Sequence, residues 1–202
     1  DCDSKFFRIK SSIWEGVKLY DLYKKTYTPW EWHPKLKNVA EKIGIDFFSS
    51  PFDASAVHFL EKLDIPVYKI ASFEIVDFPL IQTVAKTGKP IIISTGMAKF
   101  EEIEEAVSIL KNSGCCELAL LKCTSSYPAK PEDANLRTIP HMIKTFNLPI
   151  GLSDHTHGIA VPIAAVASGA SIIEKHFTLS RKNLTADSSF SLEPDEFKSM
   201  VD

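Results

Sequence analysis

The stretch PIGLSDH, at residues 149–155, shows the pattern from which we predict the fold. It opens with a short, mostly apolar run at residues 149–154, and a histidine follows directly. Further runs rich in Ile, Val, Leu or Phe have the same form and lie at residues 45–50, 67–72, 90–95, 117–124 and 171–177. Runs as apolar as these are typical of strands that are buried on both faces, as in a parallel sheet.

Helical patterns separate the runs. We expect helices over residues 34–43, 54–63, 78–87, 100–112, 135–146 and 159–168. Asp53 is placed to cap one of these helices, and Gly88, Gly114 and Gly169 end three others. Because strand starts recur about every 20 to 30 residues, the pattern predicts six consecutive βα units.

Each run ends in small polar or ionisable residues, and this feature separates two α/β folds. A TIM (β/α)8 barrel brings the carboxyl ends of all its strands to one mouth, where its active sites lie. An open doubly wound sheet concentrates function at a switch point, and no glycine-rich nucleotide motif follows any run. We therefore favour the barrel. A full barrel has eight strands and about 250 residues, so we expect this 202-residue chain, which begins with Asp1, to be a partial barrel whose first two strands are missing.

Composition and charge exclude several classes of partner. With 23 Lys and Arg against 26 Asp and Glu, the net charge of −3 argues against a nucleic-acid-binding surface. The longest weakly polar stretch, residues 158–173, is too short and too interrupted to span a bilayer. The four cysteines lack zinc-binding spacing, which indicates reduced thiols in a cytoplasmic protein.

Two histidines follow the last two runs. Side chains alternate along a strand, so Ser153 and His155 share one face, as do Glu174 and His176. At a barrel mouth the two imidazoles could hold a catalytic divalent ion such as Mn, Mg, Co or Zn. The alternative is a pair of rim histidines that are hydrogen-bonded to backbone or carboxylate groups.

Lys69 lies inside an apolar run, where a lysine is costly to bury without a partner. It could bind an anionic substrate group, form a Schiff base through its amine, or reach outward to solvent. Glu74 follows the same run and could act as an acid or base, contact a substrate hydroxyl, or cap the next helix. The serines at the ends of the runs could form a cradle for phosphate. They are Ser50, Ser72, Ser94, Ser125 and Ser153.

Six ordered motifs resemble the sialic-acid synthase family, of which N-acetylneuraminate synthases are typical. They are FSSPF (48–52), YKIASFE (68–74), STGM (94–97), CTSSYP (123–128), GLSDHT (151–156) and EKHFT (174–178). Two more segments, LYDLY (19–23) and TPWEWH (28–33), are similar to the pseudaminic acid synthase branch of that family.

The resemblance implies a reaction and a cofactor. Phosphoenolpyruvate would condense with an open-chain N-acylated amino sugar, giving a nine-carbon 2-keto sugar acid and phosphate, with Mn²⁺ or Mg²⁺ as the metal. For the pseudaminic acid branch the sugar would be 2,4-diacetamido-2,4,6-trideoxy-altrose. N-acetylneuraminate or legionaminate synthesis is the alternative within the family.

The resemblance also assigns residues by position. His155 and His176 would bind the metal. Glu74, Tyr127 and Asp187 would contact the sugar or its reacting centre. The phosphate and carboxylate of phosphoenolpyruvate would be bound by Ser50, Lys69, Ser72, Ser94, Ser125 and Ser153.

Members of this family are homodimers, which implies the same for the full-length protein. Their first two barrel strands carry a Glu and a Lys of the site, and a small antifreeze-like domain follows the barrel. We find neither segment in residues 1–202, which we therefore expect to be part of the barrel domain alone. Two readings from other classes stay open: a Schiff-base aldolase that uses Lys69, and a sugar-binding barrel without catalysis.

Overall fold

Five parallel strands form one sheet in chain order. A computed structural model describes residues 4–10 and 13–202. The strands are β1 (Tyr68–Ile70), β2 (Ile91–Ser94), β3 (Leu118–Cys123), β4 (Ile150–Asp154) and β5 (Ile173–Lys175), and each pairs with the next. A doubly wound sheet would reverse its strand order at a switch point, whereas a barrel wall would not. The predicted fold, an incomplete (β/α)8 barrel, is therefore confirmed.

Helices connect the strands as the sequence predicts. They are α1 (Leu19–Thr26), α2 (His33–Ile43), α3 (Ala54–Lys62), α4 (Phe78–Ala85), α5 (Phe100–Asn112), α6 (Thr138–Phe146), α7 (Ala160–Ala167) and α8 (Pro194–Val201). Short 3-10 turns lie at Lys5–Phe7, Trp30–Trp32, Ser72–Val76, Pro131–Ala134 and Ser188–Phe190. The six helices expected from the sequence, α2 to α7, begin and end within three residues of their predicted limits. Among the described residues, no helix is long and apolar enough to cross a membrane.

Local chemistry sets two of the helix ends. The carboxylate of Asp53 accepts a hydrogen bond of 2.9 Å from the Ala56 N–H, which satisfies a free donor at the start of α3. Gly44 ends α2 in a left-handed conformation (φ 77°), which a residue without a side chain adopts at low cost. Helix α1 was not expected from the sequence. It is short, and none of its residues is buried, although Leu19, Leu22 and Tyr23 lie on one face.

The core lies between the sheet and its covering helices. Alternate strand residues face the helices and are buried there, among them Tyr68, Ile93, Leu120 and Leu152. The residues between them face the opposite side of the sheet, and the side chains at the carboxyl ends of that side are polar. The alternation of side chains along the strands thus places the polar groups on the face of the sheet away from the helices.

The run at residues 45–50 does not form a strand, so its predicted assignment is wrong. The sheet formed by the described residues ends at β1 and has five strands, not six. Ile45 is 60% exposed and Phe48 is 39% exposed, although their run was expected to be buried. An apolar composition favours burial, but a strand also needs a hydrogen-bonded neighbour, and this run pairs with none in the described sheet.

Candidate active site

Polar side chains from both edges of the sheet meet at the carboxyl ends of the strands. The Lys69 ammonium on β1 lies 3.5 Å from the Glu174 carboxylate on β5. Neighbouring strands lie about 4.8 Å apart, so a flat sheet would separate these two strands by about 19 Å. The ion pair therefore shows that the sheet curls around its polar face, as the wall of a barrel does.

Lys69 is buried and well paired. Its ammonium donates hydrogen bonds to Ser94 Oγ at 2.8 Å and to the Ile70 carbonyl at 3.0 Å. Burial lowers the pKa of Lys69, and the negative charge of Glu174 opposes this effect. The alternative in which Lys69 reaches outward to solvent is wrong, because only 6% of the residue is exposed.

Glu174 joins the lysine to the fourth strand. Its carboxylate accepts a short hydrogen bond of 2.6 Å from Ser153 Oγ and also faces the Lys69 ammonium. The sequence placed Glu174 on the same face as His176 but gave it no role in the site. Its contact with β1 depends on the curl of the sheet, which no local pattern reveals.

Two hydroxyls and a thiol surround Gly96, just beyond β2. The Gly96 N–H donates to Ser72 Oγ at 3.1 Å, and Ser125 Oγ lies 3.8 Å from Cys123 Sγ. Of the five serines predicted to form a phosphate cradle, the structure brings four to this mouth: Ser72, Ser94, Ser125 and Ser153. None of the hydrogen bonds found among residues 4–10 and 13–202 joins Ser50 to this group, so its predicted role stays a prediction.

Cys123 was not predicted to be part of the site. Burial alone would raise the pKa of this thiol, but hydrogen bonds with His155, Ser72 and Ser125 outweigh it and lower the pKa to about 7. Its position at the polar end of an apolar run was the available signal. Cysteine is usually an apolar core residue, and this made the signal easy to pass over.

The two histidines lie side by side, with ring centroids 5.2 Å apart. Nδ1 of His155 is 2.9 Å from the Thr124 carbonyl, which can only accept, so Nδ1 donates this hydrogen bond and, in the neutral ring, Nε2 carries the lone pair. Nδ1 of His176 lies 3.5 Å from the Asp187 carboxylate. The alternative of histidines bonded to backbone and carboxylate groups thus describes their Nδ1 atoms, while no hydrogen bond among the described residues involves the Nε2 atom of either ring.

The pKa values of the two rings shift in opposite directions. Burial lowers the pKa of His176, although the charge of Asp187 opposes the effect. For His155 burial acts in the same direction, but hydrogen bonds with Cys123 and Thr124 exceed it and raise the pKa.

The imidazoles of His155 and His176 supply two of the ligands that a catalytic metal ion needs. Two neutral imidazoles are ligands for Mn, Co or Zn, and a catalytic ion keeps open positions for water or substrate. Within the part of the chain that the structure describes, no cluster of three or more His, Cys, Asp or Glu side chains is arranged to hold a metal. These residues therefore fit a site in which the protein supplies two nitrogens and oxygen ligands complete the coordination.

Tyr127 packs against both histidines. Its ring centroid lies 4.2 Å from that of His155 and 6.2 Å from that of His176. Burial raises the pKa of its phenol, which keeps the hydroxyl protonated as a hydrogen-bond donor. With Asp187 beside His176, two of the three predicted sugar contacts, Tyr127 and Asp187, lie next to the histidine pair.

Glu74 lies in the 3-10 turn Ser72–Val76 that follows β1. Its Oε2 atom is buried and finds no hydrogen-bond partner among the described residues. Burial raises the pKa of this carboxyl group. The alternative in which Glu74 caps the next helix is wrong, because Asp77 accepts the capping hydrogen bond of 3.1 Å from the Leu80 N–H.

Comparison with known proteins gives one consistent family. A model of the NeuB family matches residues 2–202. A pseudaminic acid synthase of Helicobacter pylori is 47% identical over 196 residues, which are 97% of this chain and 58% of that protein. An N,N'-diacetyllegionaminic acid synthase of Campylobacter jejuni is 44% identical over 168 residues, covering 82% of this chain and 50% of that protein.

A solved structure has the same architecture. The crystal structure of N-acetylneuraminic acid (sialic acid) synthetase from Leptospira borgpetersenii, in complex with citrate, superposes with a TM-score of 0.86 at 40% identity. The match covers 90% of this chain and 63% of that chain. This chain thus spans less than two thirds of that protein and, at 58% and 50%, about half of the two curated relatives.

Proposed function

Because the chain belongs to the NeuB family, we propose that the full-length protein condenses phosphoenolpyruvate with an open-chain N-acylated amino sugar. The products are a nine-carbon 2-keto sugar acid and phosphate. One observation carries the proposal: a buried ammonium beside hydroxyl groups lies at the same barrel mouth as a pair of imidazoles whose Nε2 atoms bond to none of the described residues. The first group suits a small anion and the second suits a metal-assisted carbonyl reaction.

Lys69 and the serines bind the two anionic groups of phosphoenolpyruvate. The ammonium offsets their negative charge, and the hydroxyls of Ser72, Ser94 and Ser125 orient them by hydrogen bonds. Bound in this way, the enol carbon can lie against the aldehyde carbon of the sugar. The electron pair of the enol double bond forms the carbon–carbon bond, and the π bond of the aldehyde breaks, so that its oxygen gains that pair and takes a proton from solvent to become a hydroxyl group. This leaves positive charge on the carbon that carries the phosphate.

Glu74 is the proposed base of the next step. A water molecule adds to that cationic carbon, and Glu74 takes its proton, which a carboxylate with a raised pKa holds well. The bond between this carbon and the phosphate oxygen then breaks, phosphate leaves, and the keto group forms. Tyr127 and Asp187, beside the histidines, hold the sugar hydroxyls.

Nε2 of His155 and Nε2 of His176 would hold the metal of the proposed site, which is Mn²⁺ or Mg²⁺. When bound, such an ion polarises the aldehyde oxygen of the sugar. Each Nδ1 is already engaged, with Thr124 or Asp187, which aims the other nitrogen at the ion.

The proposed sugar is 2,4-diacetamido-2,4,6-trideoxy-altrose, which gives pseudaminic acid. The motifs at residues 19–23 and 28–33 support this choice, as does 47% identity to a pseudaminic acid synthase. The test is mass spectrometry of the product formed by the full-length protein from phosphoenolpyruvate and this sugar, with N-acetylmannosamine and the legionaminic acid precursor in parallel. A product from N-acetylmannosamine alone would reassign the substrate and leave the reaction class intact.

The lowered pKa of Lys69 favours one competing reaction, an aldolase with a Schiff base on that amine. Its charged partner and the two hydrogen bonds that it donates support the ammonium form instead. Borohydride added during turnover separates the two, since it would trap a covalent adduct on Lys69 only in the aldolase. Sugar binding with no phosphate release by the full-length protein would indicate a barrel without catalysis.

We also propose that the full-length protein is a cytoplasmic homodimer. The reduced thiols indicated by the cysteine pattern and the use of phosphoenolpyruvate support the compartment. The family resemblance supports the dimer. Light scattering of the purified protein tests the assembly, since a mass of one chain would exclude it.

A further inference from the structure

Behind the two histidines, on the helix side of the sheet, lies a buried ion pair. Asp154 on β4 and Lys175 on β5 are partners in the strand register. Their side chains are only 2% and 1% exposed, and the Lys175 ammonium donates to Asp154 Oδ2. Because side chains alternate, each residue of the pair points away from the mouth while the histidine next to it points in.

The pair ties together the backbone on both sides of His155. Asp154, which precedes it, accepts hydrogen bonds from the N–H and the hydroxyl of Thr156, which follows it, at 3.1 and 2.9 Å. Lys175 donates to the Thr156 carbonyl as well as to Asp154. Since Lys175 directly precedes His176, these bonds join the main chain next to one imidazole to the main chain next to the other.

A second lysine supports the same turn. Lys122 is buried on β3, where its ammonium donates to Thr124 Oγ1 at 2.5 Å. The carbonyl of Thr124 is the group that orients the His155 ring. Polar groups on the helix side therefore hold both the backbone and the ring of His155.

Stability alone does not account for this arrangement. A buried ion pair loses much of its attraction to the cost of removing two charges from water, and an apolar pair of similar volume is often as stable. What an ion pair adds is a fixed geometry at the point where the two strands end.

We propose that Asp154 and Lys175 are positioning residues that set the separation of His155 and His176 and so determine the affinity for the divalent ion. The inference rests on the proposed function, since it takes the two imidazoles as metal ligands. Asp154 and Lys175 would contact neither the substrate nor the ion, so their role is additional to the residues of the proposed site. Partners of this kind change metal affinity by about 10- to 100-fold when they are removed.

The test replaces the ion pair in the full-length protein by an apolar pair, Asp154→Leu with Lys175→Met, so that no buried charge is left alone. Mn²⁺ binding is measured by titration with electron paramagnetic resonance of the free ion. Binding of phosphoenolpyruvate without metal is measured by calorimetry. We expect the Kd for Mn²⁺ to rise by about tenfold or more, while the Kd for phosphoenolpyruvate stays within about threefold, because Lys69 and Ser94 are untouched.

Two matched variants complete the design. Lys175→Arg keeps the charge and should recover most of the Mn²⁺ affinity. If the apolar pair does not fold, Asp154→Asn with Lys175→Met takes its place, because the asparagine oxygen can still accept the hydrogen bonds of Thr156. The same rise in the Kd for Mn²⁺ and the same unchanged phosphoenolpyruvate binding are expected of it. Lys198→Met removes a lysine from an exposed ion pair with Asp202 and should change neither the Kd for Mn²⁺ nor the Kd for phosphoenolpyruvate.

The outcomes separate the inference from the proposed function. If the wild type binds Mn²⁺, His155→Ala abolishes it, and the apolar pair binds Mn²⁺ like the wild type, the positioning role is wrong. A parallel loss of Mn²⁺ and phosphoenolpyruvate binding would also overturn it, because that is general disruption of the mouth. If the wild type binds no Mn²⁺, or His155→Ala binds it equally well, it is the proposed metal site that fails.

Discussion

The hydroxyl oxygen of Ser125 lies 2.2 Å from the point that a Cβ atom on Gly96 would occupy. Ser72 Oγ, at 2.9 Å, and Cys123 Sγ, at 3.0 Å, are nearly as close to the same point. Gly96 has no left-handed backbone, so it is the space inside the cradle that requires a glycine, not the chain conformation. The main chain approaches the hydroxyl groups closely, as it does in sites where backbone N–H groups meet an anion.

Gly96→Ala should therefore fill the anion cradle. We expect the Kd for phosphoenolpyruvate to rise by about tenfold or more, since the two hydroxyls of Ser125 and Ser72 must move and each hydrogen bond is worth about 1 kcal/mol. The free energy of unfolding should fall by only about 1–2 kcal/mol, because the displaced atoms are side-chain ends. Calorimetry and urea denaturation measure the two quantities.

Ser125→Ala provides the control for this substitution. It removes the closest atom, so the double variant Gly96→Ala with Ser125→Ala should bind phosphoenolpyruvate better than Gly96→Ala alone. Equal affinities of Gly96→Ala and the wild type would exclude the cradle as the anion site.

Removing the charge of Lys69 should weaken anion binding most. Lys69→Gln loses the ammonium that faces Ser94 and leaves Glu174 without its cation. A charged hydrogen bond is worth about 1.5–3 kcal/mol, so we expect the Kd for phosphoenolpyruvate to rise by about 10- to 100-fold. Lys89→Gln, at a lysine paired with exposed Asp64, is the matched control. A normal Kd in Lys69→Gln would mean that the anion binds elsewhere.

The pH dependence of that binding follows from the lowered pKa of Lys69. The ammonium is present below its pKa and is lost as the pH rises through it, so affinity should fall on the alkaline side well before an exposed lysine would titrate. Cys123, with a pKa of about 7, becomes a thiolate over the same range and adds repulsion. Calorimetry from pH 7 to pH 10 with wild type and Cys123→Ser separates the two groups, and an affinity that stays constant over this range in both would contradict the assignment.

Removal of the metal should stop turnover without emptying the anion site. A chelator should abolish phosphate release by the full-length protein and Mn²⁺ should restore it. In His155→Ala, Mn²⁺ should restore little, while metal-free binding of phosphoenolpyruvate persists because Lys69 is on another strand. Phosphate release that continues in the chelator would refute the metal roles of His155 and His176.

Much of this site follows from the sequence because strand residues alternate. Lys69, Ser153 and His155 could be assigned to the polar face from their spacing within apolar runs. The contact of Glu174 with Lys69 could not, since it joins the two edge strands and arises only when the sheet curls. The lowered pKa of the Cys123 thiol also could not be predicted, because it depends on hydrogen bonds with His155, Ser72 and Ser125, which only the fold brings together. Residues 45–50 were wrongly predicted as a strand, because an apolar run does not reveal whether a neighbouring strand is there to pair with it.

Glu74 combines a cost in stability with a proposed catalytic role, and one substitution separates them. Its Oε2 atom is buried without a hydrogen-bond partner among the described residues, and burial raises the pKa of the carboxyl group. A carboxyl group whose folded pKa lies above its unfolded value is less easily ionised in the fold. Its ionisation therefore lowers the stability of the wild type as the pH rises from the unfolded value through the folded one.

Glu74→Gln keeps the shape of the side chain and removes the charge. At pH 8 its free energy of unfolding should equal that of the wild type or exceed it by about 1 kcal/mol, and the difference should shrink toward pH 4, where both side chains are neutral. Phosphate release should nevertheless fall by about 10²- to 10⁴-fold, the usual contribution of a general base. Glu105→Gln, on the exposed face of α5, should alter neither quantity. If the free energy of unfolding of Glu74→Gln, compared with that of the wild type, is lower at pH 8 than at pH 4, the fold stabilises the ionised carboxylate and the prediction is wrong. If phosphate release is undiminished, another residue is the base.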